Sequence, residues 1–251
     1  AGADSGWDTV FLPCGIYSVS ARLNLRSHTR LLGAGSCTVL RARSANATEM
    51  LYFHDLTTVG KNTSIESLTF DGAGIAAWGI GLDAWNQFTI EYLWFTSFTS
   101  GAIRTNFTYN GNADQGLIHN NHVVGSSVFA FPGAIDTPVF LQTSTAAGSV
   151  LDLTTISNNT HGAVQSWSMI LDSATRLTVK DHWAGNNAAA EVWSGGIWIK
   201  NTGDNANSIR NSTNHLIEGL TLENSNAYAT PVGVKVECTY STGGTTGLIS
   251  N

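Results

Sequence analysis

The chain has 251 residues, a length that suits one large β domain or two small ones. Charged residues make up 12% of it, about half of the usual ~25%, and the net charge is −6 with the 12 basic residues scattered. Because phosphate binding needs a positive patch, this composition disfavours a nucleic-acid partner. No run approaches the ~18 apolar residues of a membrane-spanning helix, so no membrane partner is expected either.

The opening of the chain carries a recognisable series of short apolar segments. Residues 10–17 read Val-Phe-Leu-Pro-Cys-Gly-Ile-Tyr, residues 23–25 read Leu-Asn-Leu, and residues 29–35 read Thr-Arg-Leu-Leu-Gly-Ala-Gly. Residues 68–72, Leu-Thr-Phe-Asp-Gly, continue the series. Together they resemble the first coils of proteins of the pectin-lyase-like (pectate lyase) superfamily. The resemblance implies an all-β fold, a right-handed parallel β-helix.

The two ends of the chain depart from that family pattern. The usual N-terminal capping helix is missing or truncated before Gly6, and the sequence stops at Asn251 without a recognisable cap. Solenoids need capped ends, because their terminal coils would otherwise expose the core. We therefore expect one β-helix domain over residues 1–251 that is a fragment or that lacks its terminal caps.

The chain contains three cysteines, Cys14, Cys37 and Cys238. An odd number excludes a fully paired disulfide framework. Cys14 and Cys37 are 23 residues apart, which is close to the length of one β-helix coil. They are either stacked on adjacent coils as a disulfide or present as two small buried thiols, and the sequence leaves both alternatives open.

After the opening, a pair of segments recurs six times at variable spacing, which favours a repeat architecture. The first segment of each pair begins at Ile65, Ile90, Ile118, Ile156, Val179 and Ile217. The second covers residues 79–83, 102–106, 139–142, 168–172, 196–200 and 233–237. The alternation of apolar and polar residues is typical of strands. A single coil cannot bury its apolar face alone, so the repeats predict parallel stacking; a β-sandwich or a β-propeller explains the equivalent copies less well.

Two asparagine pairs, Asn120-Asn121 and Asn158-Asn159, occupy equivalent places in consecutive repeats. Asparagine tolerates the left-handed backbone conformation of a tight turn, and its amide can bond along a stack. The recurrence favours an asparagine ladder over the alternative that asparagine is merely common in loops.

The alternation also predicts which side chains of the second segment point outward. If Ile80 and Leu82 point into the core, Gly81 and Asp83 point out. The same register gives the outward pairs Arg104 and Asn106, Phe140 and Gln142, Ile170 and Asp172, Trp198 and Lys200, and Lys235 and Glu237.

One outward column holds the catalytic candidates Asp172, Lys200 and Glu237. At ~4.8 Å per coil the two carboxylates would be roughly 9 to 10 Å apart, the upper edge of the spacing in inverting glycosidases. A lysine between them would separate their pKa values. The alternative is an ordinary surface ion ladder. The candidates for substrate binding are Arg104, Gln142, Trp198, Lys235 and Asp204.

The family resemblance implies a polysaccharide partner bound along an outward sheet face. The leading expectation is a secreted, extracellular polysaccharide hydrolase or lyase without a cofactor, or with calcium if it is a lyase. The acidic and Gly-His-Gly motifs typical of polygalacturonases are not found. One alternative is a phage tailspike-like or surface appendage, located on a virion surface and forming a homotrimer that binds a glycan receptor. The other is a structural or adhesive solenoid without catalysis.

Overall fold

The structure is a computed structural model of the chain. It describes residues 8–44, 48–53, 59–105, 113–126, 128, 131, 135–143, 150–172, 174–186, 194–201, 213–224, 232–238 and 246–249. Within these ranges the regular secondary structure consists of strands alone, arranged in three parallel sheets.

We name the sheets A, B and C in the order in which each coil visits them. Sheet A contains strands Asp8–Leu12, Thr29–Gly33, Gly60–Glu66, Trp85–Glu91, Ala113–Asp114, Leu117–His119, Leu151–Asp152, Thr155–Ser157, Ala174–Thr175, Thr178–Lys180, Thr213–Glu218 and Thr246–Ile249. Sheet B contains Gly15–Val19, Thr38–Ala42, Thr69–Asp71, Trp94–Thr96, His122–Val123, Thr160–His161, Trp183–Asn186 and Thr221–Asn224. Sheet C contains Leu23–Leu25, Glu49–Phe53, Trp78–Leu82, Gly101–Thr105, Val139–Gln142, Trp167–Asp172, Gly195–Asn201 and Val232–Cys238.

Sheets B and C each hold 8 strands in chain order, so the described residues form 8 coils, followed by a further sheet A strand. The opening segments form the first two coils, and the six repeated pairs form the next six. The parallel β-helix predicted from the repeats is therefore confirmed.

A left-handed turn residue divides each first repeated segment between two sheets. These residues have φ between +49° and +65° at the equivalent positions Ser67, Tyr92, Asn120, Asn158, Asp181 and Gly219. The residue before the turn residue ends a sheet A strand, and the strand of sheet B begins two residues after the turn residue. Each coil therefore has three sides, where the sequence indicated two alternating segments.

The core is built from columns of like side chains that stack from coil to coil. One column on sheet A consists of Ile65, Ile90, Ile118 and Ile156, all fully buried. Phe70 and Phe95 on sheet B stack face to face, with ring centroids 5.4 Å apart. Because each apolar ring or methyl group covers its equivalent on the next coil, the interior is continuous along the solenoid.

The asparagine ladder and the disulfide are both present. Asn120 and Asn158 have φ of 51° and 53°, the left-handed conformation expected of them. The side chain of Asn121 hydrogen-bonds to that of Asn159, both fully buried. Cys14 and Cys37 form a disulfide between adjacent coils, with their Cα atoms 4.9 Å apart. The disulfide alternative left open by the sequence is thus the correct one.

A buried polar network joins sheets B and C inside the solenoid. His161 Nε2 lies 2.9 Å from the Thr137 carbonyl oxygen, which only accepts, so Nε2 carries the proton. The Ser168 hydroxyl therefore donates to His161 Nδ1 at 3.0 Å and accepts from His182 Nε2 at 2.7 Å. Burial lowers the pKa of His161 to about 4 and that of His182 to about 3. Both imidazoles are neutral at neutral pH.

Candidate functional site

Five outward positions on consecutive coils of sheet C form one row, in which Gln142 occupies the place that the predicted pairs gave to Phe140. The strand register pairs Arg104 with Gln142, Gln142 with Ile170, Ile170 with Trp198, and Trp198 with Lys235. The four predicted binding residues of this row therefore share one face. Asp204, the fifth, lies outside the described residues.

The three catalytic candidates form a second row beside the first. Lys200 is the register partner of Asp172 on one side and of Glu237 on the other. The predicted column is confirmed as an arrangement, while the catalytic roles of its members stay predictions.

The outward assignment of Phe140 is wrong, because Phe140 and its neighbour Leu141 both belong to the core. The sheet C strand has two consecutive inward side chains at this point, which strict alternation cannot predict.

Trp198 is the centre of a group of side chains on the C-terminal coils of this face. The ammonium groups of Lys200 and Lys235 lie 4.8 Å and 4.5 Å from the centroid of its ring. The ring of Trp167, one coil earlier, lies 5.8 Å from that of Trp198, centroid to centroid. We call this group, with its two carboxylates, the tryptophan–lysine cluster: Trp167, Asp172, Trp198, Lys200, Lys235 and Glu237.

Each lysine of the cluster also pairs with a carboxylate. Lys200 Nζ lies 3.4 Å from Asp172 Oδ2, and Lys235 Nζ lies 2.8 Å from Glu237 Oε2. The hydrogen bond from Lys235 lowers the pKa of Glu237, so that this carboxylate is ionised at neutral pH. The Asp172 side chain is only 4% exposed, whereas that of Glu237 is 41% exposed. The cluster thus presents fixed donors, fixed acceptors and an indole on one surface.

A second group on the same face, nearer the N-terminus, was not predicted. The carboxylate of Glu49 is fully buried, and Arg104 Nε donates a hydrogen bond to its Oε1 at 2.7 Å. Arg22 Nη1 lies 3.6 Å from Glu49 Oε2, and the Arg22 guanidinium also lies 4.3 Å from the Tyr52 ring centroid. We call Arg22, Glu49 and Arg104 the arginine–glutamate cluster. The signal in the sequence was a single carboxylate in the otherwise apolar segment of residues 49–53.

The two clusters are separate sites along the face. Arg104 and Trp198 are three coils apart in the register, or ~14 Å at ~4.8 Å per coil. The charge of Arg104 is directed to Glu49, away from Trp198. The predicted binding residues therefore lie in one continuous row of register partners, but their side chains belong to two separate clusters.

Known proteins are similar to this chain in fold, and none is similar enough in sequence to assign it to a family. No protein-family model matches the chain, and no curated protein sequence matches it. Among solved structures, the catalytic unit of a GH87 α-1,3-glucanase from Streptomyces thermodiastaticus matches with a TM-score of 0.60 and 14% identity, over 91% of this chain and 46% of that one.

Two further structures give the same result. PfbA, a surface adhesin of Streptococcus pneumoniae, matches with a TM-score of 0.56 and 11% identity, over 90% of this chain and 74% of that one. Gene product 12 of bacteriophage phi29, in its pre-mature form, matches with a TM-score of 0.53 and 15% identity, over 96% of this chain and 38% of that one. These neighbours are pectin-lyase-like parallel β-helix proteins, and the chain has their parallel β-helix fold.

Sheet A of this parallel β-helix carries two adjacent carboxylates that were not predicted from the sequence. Glu66 and Glu91 are register partners on neighbouring coils, and His119 follows Glu91 in the same row. Burial acts to raise the pKa of Glu66, but hydrogen bonds from Arg30 and Ser64 lower it below its usual value. Burial, together with the charge of Glu66, raises the pKa of Glu91. The two carboxyl groups therefore differ in their affinity for a proton.

The described ranges contain no group of three or more His, Cys, Asp and Glu side chains that could hold a metal ion. Calcium stays a prediction for the lyase alternative. In the same ranges, no helix is long and apolar enough to cross a membrane.

Proposed function

We propose that this β-helix binds a polysaccharide along the outer face of sheet C, with the tryptophan–lysine cluster as the main contact. The observation that carries the proposal is the position of Trp198 within 5 Å of two ammonium groups and beside a second indole. An indole presents an electron-rich face to the C–H groups of a sugar ring, and charged donors and acceptors beside it bind hydroxyl or carboxylate groups.

The ion pairs of the cluster favour binding because they hold flexible side chains in place. A lysine that is already ordered by Asp172 or Glu237 loses less conformational entropy when a ligand arrives. The ionised state of Glu237 suits an acceptor of hydroxyl hydrogen bonds. A catalytic acid would instead need a raised pKa. Glu237 therefore suits ligand binding better than the role of a catalytic acid.

An extracellular location is part of the proposal. A disulfide such as Cys14–Cys37 persists in oxidising compartments and is rare in the cytosol of most organisms. A polysaccharide ligand and a surface location also agree with the names of two proteins of similar fold, an α-1,3-glucanase and a surface adhesin. If the chain is instead part of an appendage of the phage type, light scattering should find a homotrimer.

The binding proposal is tested by affinity electrophoresis in gels that contain one soluble polysaccharide each, acidic in some gels and neutral in others. We expect at least one polysaccharide to retard the wild-type protein and Trp198→Ala to weaken that retention about tenfold, while Trp198→Phe keeps most of it. Lys180→Ala, which removes an exposed lysine from sheet A, is the matched control. The proposal fails if no polysaccharide retards the protein, or if Trp198→Ala is retarded as strongly as the wild type.

Glycoside hydrolysis on sheet A is a second candidate function, favoured by the Glu66–Glu91 pair. Adjacent strands are ~4.8 Å apart, close to the ~5–5.5 Å that separates the carboxyl groups of retaining glycosidases. In such a reaction Glu91 would protonate the leaving oxygen while Glu66 attacks the anomeric carbon. Water, with its proton taken by Glu91, would then release the sugar from Glu66.

Release of reducing sugar from the retained polysaccharide tests the hydrolytic candidate. Glu91→Gln and Glu66→Gln should each abolish it, and Glu218→Gln, in the same row, should not. Asp172→Asn and Glu237→Gln test the catalytic prediction made from the sequence. If these two variants alone remove activity, the catalytic site lies on sheet C; if Glu66→Gln and Glu91→Gln retain it, sheet A is excluded.

A further inference from the structure

The outer face of sheet B carries a row of side chains that the proposed function does not use. The register pairs Trp94 with His122, His122 with Thr160, and Thr160 with Trp183. All four side chains are half-buried. We call these four residues the sheet B row. It contains two indoles, an imidazole and a hydroxyl group, and no carboxylate or ammonium group.

The absence of a side chain at Gly185 allows the Trp183 indole to lie on the sheet. A Cβ atom added to Gly185 would be 2.5 Å from the Trp183 ring, and one added to Gly162 would be 4.0 Å from it. A contact of 2.5 Å is closer than a carbon atom can approach without displacing the ring. The ring therefore packs over the backbone of sheet B, where it is supported as a flat platform.

The other half of the row is held in place by stacking and by a hydrogen bond. The rings of Trp94 and His122 have centroids 5.8 Å apart and planes inclined by 29°. His122 Nδ1 lies 2.8 Å from Thr160 Oγ1, which fixes the imidazole between the indole and the hydroxyl group. Burial lowers the pKa of His122, so the ring is neutral at neutral pH. The row is thus preorganised and uncharged over successive coils.

We propose that the sheet B row is a second polysaccharide-binding surface, which takes a neutral glycan. Supported aromatic rings attract the C–H faces of sugars, and the hydroxyl and imidazole groups between them can hydrogen-bond to sugar hydroxyls. The absence of charge in the row disfavours an acidic glycan, because none of its four side chains has a positive charge that could pair with a carboxylate of the glycan. A second copy of the chain is the competing occupant, because aromatic rows at a protein surface also form protein interfaces. The proposal does not depend on the sheet C site.

The experiment measures retention of the protein in gels that contain dextran, galactomannan or soluble starch, each a neutral polysaccharide. At least one should retard the wild-type protein, and Trp94→Ala, Trp183→Ala and Gly185→Ala should each weaken that retention about three- to tenfold. Gly185→Ala leaves both indoles in the chain and only displaces one of them. Gly233→Ala is its matched control, because a Cβ atom there meets nothing within 4 Å. Trp183→Phe should restore most of the affinity, which separates loss of stacking from misfolding.

Three outcomes would overturn the proposal. In the first, no neutral polysaccharide retards the wild-type protein. In the second, the sheet B variants are retarded like the wild type while Trp198→Ala loses all retention, which would leave sheet C as the binding face. In the third, light scattering finds an oligomer that Trp94→Ala dissociates, which makes the row a contact between copies. Loss of retention in the sheet B variants alone would support this proposal even if the sheet C proposal failed.

Discussion

The side-chain amide nitrogen of Asn121 donates a hydrogen bond of 3.0 Å to the side-chain oxygen of Asn159 on the next coil. The same nitrogen donates to the Ile90 carbonyl at 2.8 Å, and the side-chain oxygen of Asn121 accepts from the backbone N–H of Leu93 at 3.1 Å. All these groups are buried where the chain turns from sheet A to sheet B. The ladder therefore satisfies backbone groups that the turn itself leaves unpaired.

Replacing Asn121 by leucine should lower the free energy of unfolding by about 2 kcal/mol or more, because each buried polar group left unpaired costs ~1–3 kcal/mol. Denaturant unfolding followed by circular dichroism measures the change. Asn120→Gly is the matched control: this neighbour has φ of 51°, which glycine adopts freely, and its side chain is not part of the ladder. Equal losses in the two variants would contradict a special role for Asn121.

The sequence predicted those parts of the fold that repeat from coil to coil. The β-branched column from Ile65 to Ile217, the turn asparagines and the outward row of Asp172 all follow from equivalence between coils, since parallel stacking places like positions side by side. The 23-residue spacing of Cys14 and Cys37 allowed a disulfide between adjacent coils, and the structure decides between that and two free thiols.

The parts that the sequence did not predict break the period or cross between repeats. Phe140 is buried because its strand has two inward residues in succession. Glu49 pairs with Arg104 from two coils further along the chain, a distance that no local pattern encodes. Glu66 and Glu91 each occupy an ordinary outward position, and only their register brings the two carboxylates together.

Removing Arg104 should destabilise the protein much more than removing a surface lysine. The Glu49 carboxylate is fully buried, and Arg104→Met removes the guanidinium that hydrogen-bonds to it while the Thr48 hydroxyl and the more distant Arg22 remain. Breaking a buried ion pair costs ~3–5 kcal/mol. The matched control is Lys180→Met, because Lys180 pairs with Glu218 at 2.6 Å where both side chains are solvent-exposed, and such pairs are worth ~0–1 kcal/mol. Thermal unfolding of the two variants should differ clearly; similar melting temperatures would show that Glu49 tolerates the loss.

Reduction of the disulfide should destabilise the N-terminal coils. For a loop of the size closed by Cys14 and Cys37, the expected loss is about 3 kcal/mol. Unfolding is measured with and without dithiothreitol in the wild type and in a Cys14→Ala/Cys37→Ala double variant. Dithiothreitol should lower the free energy of unfolding of the wild type and leave that of the double variant unchanged. An equal free energy of unfolding of the wild type with and without dithiothreitol would contradict the expectation.

Acidification should destabilise the protein between pH 6.5 and about pH 4, because buried histidines resist protonation. Burial lowers the pKa of His215 to about 4, so the unfolded state binds more protons than the folded state in this window, and stability falls as the pH falls. The contribution of His215 is on the order of 3 kcal/mol across the window.

The variant His215→Leu tests this pH dependence, because leucine has no group to protonate. The free energy of unfolding, measured from pH 7 to pH 4, should decline less steeply in the variant than in the wild type. Part of its residual slope should come from His161 and His182, whose pKa values are lowered in the same direction, and part from carboxyl groups with lowered pKa values such as Glu66. An unchanged slope would mean that His215 becomes protonated within the folded protein.

Binding of a polysaccharide at Trp198 is the central claim of this account, and a crystal structure with a bound oligosaccharide tests it most directly. The oligosaccharide is prepared from the polysaccharide that retards the protein most strongly. We expect a sugar ring in contact with the Trp198 indole, with its polar groups within hydrogen-bond distance of Lys200, Lys235 or Glu237. An oligosaccharide bound with no contact to Trp198 or its two lysines would contradict it.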